Sequence, residues 1–390
     1  MAQQFPDLGH EVPEISAETL KERLDAGEEW TLLDTRRPAD FAAWQLSHPN
    51  IEAVNVPFTA FLNGDDPADG VPEGVPPKDA DRPLVTCCAK GISSLYVAEF
   101  LTRAGWDVYG LADGMEGWAR LYESRAVDSS ADATVIQYHR PSSGCLAYLV
   151  VSGGEALVVD PLRAFADRYV ADVRELGAAV VGVADTHVHA DHVSGLREVA
   201  DATGAERFLP AGAAERGLAF DATLLSDGDE LRVGDATVAV VALPGHTTEM
   251  TGYLVDDVLL AGDSVFVDSV ARPDLEDADV EAVERAARAL YGTVRTIGSM
   301  PDDRVVASNH AGPETSRSED GTYTARVGDL RESLAAFSLD EDEFVARVTD
   351  DLPPQPNEYQ RIIAANLGRE RVNDDEAFEL ELGPNNCAAG

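Results

Sequence analysis

At 390 residues the chain exceeds what one hydrophobic core usually holds, so two domains are expected. Its 71 acidic against 30 basic residues, a formal net charge of -41, would repel nucleic acid and anionic membrane, which excludes both as partners. Hydrophobic residues make up 44% and fall in periodic runs, so the charge does not signal disorder, and no run has the length of a membrane span.

The opening M-A-Q-Q-F-P-D-L has neither a basic stretch nor an apolar one, as a secretory leader would, and the cytoplasm is the expected location. Residues 12 to 124 then alternate strand and helix patterns, which is α/β patterning. Ser16 caps an amphipathic helix that runs through Leu20 and Leu24, and a strand follows over 31–33. A second apolar stretch, P-L-V-T at 83–86, leads into C-C-A-K-G-I-S-S. Beyond it Leu95, Val97, Ala98, Phe100 and Leu101 have helical spacing. A cysteine between a strand end and a helix start faces backbone N–H groups and the positive end of the helix dipole, which favours the thiolate.

This loop resembles the active-site loop of the rhodanese family, and the resemblance extends to L-L-D-T-R-R-P-A-D-F at 32–41, V-N-V-P at 54–57 and L-A-D-G-M-E-G-W at 111–118. It implies that Cys88 is a nucleophile that carries a persulfide, and that Cys87 is the last strand residue. Gly91 would permit the tight turn, and Lys90 would stabilise the thiolate or an anionic sulfur acceptor. Ser93 stands where many members of the family have arginine, so the loop's hold on an anion is expected to be weaker.

Residues 125 to 133, R-A-V-D-S-S-A-D-A, have no apolar period and are expected to link a domain over 1–124 to one over 134–390. Strands over 147–151 and 156–159 flank S-G-G as a hairpin would. Short strand-like runs at 180–184, 238–243, 258–261 and 305–308 each end at a ligand-type residue. They lead to T-H-V-H-A-D-H at 186–192, to His246 in L-P-G-H-T, to Asp263 in L-A-G-D-S and to His310 in A-S-N-H-A-G. The chain has 8 histidines, and His187, His189, His192, His246 and His310 all fall in these motifs, which is the density of a metal site. A spacing of two should put His187 and His189 on one side of an extended turn, with Asp191 and His192 facing a second position. Helices are expected over 280–290 and 342–348.

The ordered set is similar to the metallo-β-lactamase superfold, an αββα sandwich, over most of 134–370. The resemblance implies that Asp160 supports the metal loop without binding metal. His187, His189, Asp191, His192, His246, Asp263 and His310 match the full two-metal set of glyoxalase II. A narrower resemblance, to the persulfide dioxygenases, rests on A-R-P-D-L at 271–275 and on a tail from Asp342-Glu343-Phe344 through P-P-Q-P to A-N-L-G at 365–368. That family implies one Fe(2+) per chain, held by His187, His246 and Asp263, with His189, Asp191, His192 and His310 around it. Arg272 and Asp274 lie where it has substrate-loop residues.

The expected activity is therefore oxidation of a low-molecular-weight thiol persulfide by O2 to sulfite and free thiol. Sulfur transfer at Cys88 would join it, with sulfite or thiosulfate as partner. The alternative is a thioester hydrolase with two Zn(2+) per chain, which needs the same seven residues; a sulfur carrier with a structural metal is a third class. Cys145 is expected to be a core residue, Cys387 lies in a polar tail, and no disulfide framework is expected. His10, His48 and His139 are isolated and read as non-ligands. A carboxylate-rich chain with three lysines resembles proteins of salt-in, haloarchaeal-type cells. The number of subunits is open, and a homo-oligomer is compatible with the sequence.

Overall fold

The central strands form where the apolar runs are unbroken, and these are covered on both faces. The computed structural model describes residues 11–63, 70–78, 82–277, 279–350, 352 and 354–383, so His10 and Cys387 lie outside the described residues. The chain divides into two compact units, Met1–Leu121 with Arg140–Ser143, and Tyr122–His139 with Gly144–Gly390.

In the first unit β1 (Glu14–Ile15), β2 (Trp30–Asp34), β3 (Ile51–Asn55), β4 (Leu84–Cys87) and β5 (Val108–Leu111) form a parallel sheet in the order β1-β5-β4-β2-β3. Alternate residues serve opposite faces: Leu32 and Val85 pack with Leu20, Leu24 and Trp118, whereas Leu33 and Leu84 pack with Val97, Phe100 and Leu101. Helix Ala17–Asp25 is capped by Ser16, whose side chain accepts the Thr19 N–H.

The second unit stacks two sheets. The first has the order β12-β11-β10-β9-β8-β7-β6, from β6 (Glu123–Ala126), β7 (Thr134–His139), β8 (Leu146–Ser152), β9 (Glu155–Val159), β10 (Ala179–Ala184), β11 (Glu206–Pro210) and β12 (Thr223–Leu225). The second runs in chain order through β13 (Glu230–Val233), β14 (Ala236–Ala242), β15 (Thr251–Val255), β16 (Val258–Gly262), β17 (Val305–Ser308) and β18 (Thr324–Arg326). Leu146, Tyr148 and Val150 of β8 point between the sheets with Val238, Tyr253, Leu260 and Ala307, while Ala147 and Leu149 face helices Ala166–Glu175 and Leu196–Thr203. On the far side Leu259 and Val306 face Leu290, Val294 and Ile297 of helix Val280–Gly298, with Phe344 and Val348 of Glu341–Thr349. The layers are helix, sheet, sheet and helix, as the superfold requires.

The polar stretch 125–133, read as a linker, begins inside β6, which pairs antiparallel with β7. Three of the four β6 residues are exposed, so the strand carries no apolar period and its composition does not betray it. Among the described residues no helix is long and apolar enough to cross a membrane.

Carboxylates crowd helix starts at the surface: Glu341, Asp342 and Glu343 open one helix, and Asp374, Asp375 and Glu376 another. Salt shortens the reach of their repulsion from about 10 Å at 0.1 M to about 3 Å at 1 M. The thermal midpoint is therefore expected to rise with salt; a midpoint that is constant or higher in dilute buffer would contradict the halophilic expectation.

Candidate metal centre and cysteine loop

Strands β10, β14, β16 and β17 end along one edge, and the loops that leave them bring the ligand-type residues together. His187, His246 and Asp263 each offer an atom within 4.8 Å of the others, and all three are buried. His187 Nε2 lies 3.8 Å and His246 Nε2 3.6 Å from Asp263 Oδ2. The other ring nitrogens are already used. His246 Nδ1 donates to the Arg272 carbonyl at 2.9 Å, which leaves Nε2 with its lone pair, and His187 Nδ1 meets the Thr186 hydroxyl at 2.9 Å. Burial, then the neighbouring His189 and His246, push the His187 imidazolium well below its ordinary pKa, so the ring is neutral, as a ligand must be. Burial alone would raise the Asp263 carboxyl, but His310 and His246 outweigh it and hold the group below the usual carboxylate range.

His187 Nε2 and Asp263 Oδ2 are buried without a hydrogen-bond partner. Each such atom costs about 1–3 kcal/mol, so their convergence fits a metal ion held by two imidazoles and one carboxylate. Gly245, at φ +143, lets the chain reach His246 past helix Val280–Gly298, because a Cβ there would lie 2.4 Å from Leu290 Cα.

The structure places the rings of His187 and His189 side by side, with centroids 4.2 Å apart. His189 turns Nε2 to Asp160 at 2.9 Å and groups with Asp160 and Asp185, while its Nδ1 is buried without a hydrogen-bond partner 3.9 Å from Asp191 Oδ1. Asp160, at the end of β9, also accepts the Thr186 N–H at 2.6 Å and hydroxyl at 3.1 Å on Oδ1, and Asn309 Nδ2 at 2.6 Å on Oδ2. One buried carboxylate thus ties the metal loop to the loop before His310. Asp191 Oδ2 meets His192 Nδ1 at 3.0 Å and His310 Nε2 at 3.1 Å, and His310 Nδ1 reaches Asp263 Oδ1 at 2.8 Å.

The structure also redirects the Arg272 and Asp274 expectation. The guanidinium is 1% exposed and is spent on Asp274, with bonds of 2.7 and 2.9 Å, and on the Pro354 carbonyl. What this segment gives the centre is the Arg272 carbonyl on His246. Sequence reasoning missed three further supports of the metal loop. Glu249 Oε1 accepts the Val188 N–H at 3.0 Å and Arg216 Nη1 at 2.6 Å. Glu381 Oε1 accepts the Val193 N–H at 2.9 Å. Asn366 accepts the Ser194 N–H and donates to the carbonyls of His189 and His192 at 3.0 and 2.9 Å. Asn366 lies in A-N-L-G, and that motif was the available signal.

In the first unit Cys87 ends β4 and is buried; burial, then Asp34 and Cys88, push its thiol well above the ordinary value. Cys88 opens the loop ahead of helix Ile92–Arg103. Burial raises its thiol too, but hydrogen bonds from the side chains of Ser93 and Ser94 and the backbone of Ser94 and Lys90 outweigh it, so its pKa lies below the ordinary thiol value. Ser94 Oγ, which the sequence reading did not single out, is 3.3 Å from Cys88 Sγ. Gly91 turns the loop at φ +77, where a Cβ would lie 2.9 Å from the Asp113 nitrogen. The Lys90 ammonium, placed by sequence beside the thiolate, instead pairs with Glu116 at 3.0 Å, and it is the Lys90 backbone that serves Cys88. Because the thiolate persists below the ordinary thiol pKa, Ser94→Ala should move the midpoint of the alkylation rate of Cys88 against pH upward; an unmoved midpoint would remove Ser94 from this role.

The metallo-beta-lactamase superfamily pattern matches residues 141–310 and the rhodanese-like domain pattern residues 16–121. A beta-lactamase hydrolase-like protein of Xylella fastidiosa is 25% identical over 269 residues, which cover 61% of this chain and 61% of that protein. The chain thus spans less than two thirds of that relative's length. A probable metallo-hydrolase of Burkholderia pseudomallei is 30% identical over 253 residues, 55% of this chain and 85% of that one. The human mitochondrial persulfide dioxygenase ETHE1 is 26% identical over 266 residues, 66% of this chain and 96% of that one. With the fold and the convergent histidines and carboxylates, these likenesses show that the chain belongs to the metallo-beta-lactamase superfamily and carries a rhodanese-like domain ahead of that fold.

Proposed function

We propose that the protein oxidises a low-molecular-weight thiol persulfide with O2 and that its Cys88 moves sulfane sulfur. The first reaction balances as RSSH + O2 + H2O giving RSH, sulfite and two protons. The observation that carries this reading is the convergence of His187 Nε2, His246 Nε2 and Asp263 Oδ2 as a buried set of two imidazoles and one carboxylate. Such a set with open positions suits Fe(2+), which when bound would activate O2 beside the substrate sulfur. The likeness to the human persulfide dioxygenase over 66% of the chain supports the same choice.

The chain's own residues set the geometry. Arg272 O and Thr186 Oγ1 hold the two imidazoles in the orientation that presents Nε2, and Asp160 fixes the loop that carries His187. His187, His246 and Asp263 are all buried, which keeps bulk water from their ligand atoms. In the first unit, the Cys88 thiolate would attack the outer sulfur of thiosulfate, forming a Cys88 persulfide as the S–S bond breaks and sulfite leaves. The loop amides and the Ser93 and Ser94 hydroxyls favour the anion at that sulfur.

The two chemistries use different residues, so Cys88→Ser should abolish sulfur transfer from thiosulfate and leave sulfite formation from a pre-formed persulfide largely intact. Cys87→Ser should spare both. Loss of transfer in Cys87→Ser with transfer retained in Cys88→Ser would contradict the assignment of the loop.

A further inference from the structure

We propose that Phe266 sets which persulfide reaches the metal centre: its ring closes the approach past His310 and admits sulfane sulfur on an unbranched carbon in preference to a branched one. On the persulfide reading above, on which this rests, Phe266 is a specificity-determining residue. The ligand atoms themselves are closed off. Of the histidines and carboxylates gathered at the centre, His310 keeps 10% of its side chain exposed, against at most 2% for His187, His189, Asp191, His192, His246 and Asp263. An incoming molecule therefore meets His310 first. The Phe266 ring stands at right angles to that imidazole, with centroids 6.1 Å apart and planes at 89°, and Phe266 is itself only 3% exposed.

A short turn that follows Asp263 holds Phe266 there. Val265 and Val270 form an antiparallel bridge, Phe266 N donates to Ser269 O at 2.9 Å, and Ala271 N donates to Ser264 O at 3.1 Å. Within the turn, Asp268 Oδ2 accepts the Thr315 hydroxyl at 2.6 Å, and the same hydroxyl oxygen accepts the Gly312 N–H at 2.9 Å. One hydroxyl thus latches the turn that carries Phe266 to the loop that follows His310. Asp268, Ser269 and Val270 also border a cavity of about 90 Å³ against Ala335, Arg347 and Val348, which leaves the turn room to shift when the latch opens. A phenyl edge attracts polarisable sulfur at a separation of about 5 Å, so the ring that bars a branched carbon favours a narrow chain of two sulfur atoms.

The test compares kcat/KM for O2 uptake by iron-loaded, full-length protein with a persulfide on a primary carbon and with its gem-dimethyl analogue. The unmodified protein is expected to favour the primary-carbon persulfide by about tenfold or more, and Phe266→Ala to bring the two within about threefold. No such preference in the unmodified protein, or a ratio unchanged in Phe266→Ala, overturns the proposal. A general loss of structure would lower both rates and leave their ratio where it was. Should Phe266→Ala not fold, Thr315→Val decides instead: it releases the latch without touching the ring, and it should lower the same ratio, an unchanged ratio counting against the gate. No O2 uptake with either persulfide would refute the oxidation reading and leave the gate to a second measurement, the transfer of bound metal to a small and to a bulky coloured chelator. The gate predicts that the bulky chelator is held back in the unmodified protein and not in Phe266→Ala, and equal discrimination by the two proteins overturns it.

Discussion

Replacing His187, His246 or Asp263 by alanine is expected to leave protein that folds, holds no iron and shows no persulfide-dependent O2 uptake. Each change deletes one of the three protein bonds proposed to hold the ion, whereas His189 Nε2 is turned to Asp160 and Asp191 Oδ2 is engaged by His192 and His310. By contrast His189→Ala, Asp191→Ala and His192→Ala should retain iron, with activity lowered by about 10–100-fold through lost orientation of the ligand residues. The measurement is iron per chain together with an oxygen-electrode rate for all six variants. Retention of full iron in any of the first three would displace that residue from the ligand set.

Asp160→Ala should have the largest effect on stability of any single change at the centre. The carboxylate is fully buried and serves Thr186 N, Thr186 Oγ1, His189 and Asn309, so its removal leaves several buried donors unpaired at once. Loss of one partner of such a buried charged network costs about 3–5 kcal/mol. Urea unfolding should show a lowered midpoint, and iron content should fall with it, because the same carboxylate fixes the loop that carries His187. A variant with an unchanged midpoint and full iron would show that Thr186 and Asn309 hold the loop without it.

Much of this was legible in the sequence, for reasons visible in particular residues. Apolar runs such as Leu146–Ser152 and Val258–Gly262 are buried on both faces and therefore read as unbroken strands. His246, Asp263 and His310 stood out because each follows such a run. Strand Glu123–Ala126 did not stand out, since it is an exposed edge whose pairing comes from the backbone. The partners of His189 and Arg272 were not legible either. Two residues four or fewer apart share a turn, but which way each side chain points is decided by groups far along the chain, here Asp160 and Pro354. Cys145 illustrates the same limit. Its apolar neighbours describe a core position, and only the pairing with His310 brings its sulfur to Asp191.

The choice between the persulfide oxidation proposed above and a two-zinc thioester hydrolysis turns on what the buried ligand set does with substrate. An oxygen-electrode trace of iron-loaded, otherwise unmodified protein mixed with a low-molecular-weight persulfide tests it most directly. The expected result is O2 consumption that starts on persulfide addition, with one sulfite formed per O2 consumed. No O2 consumption with any such persulfide, together with hydrolysis of an acyl thioester by the same protein, would contradict it.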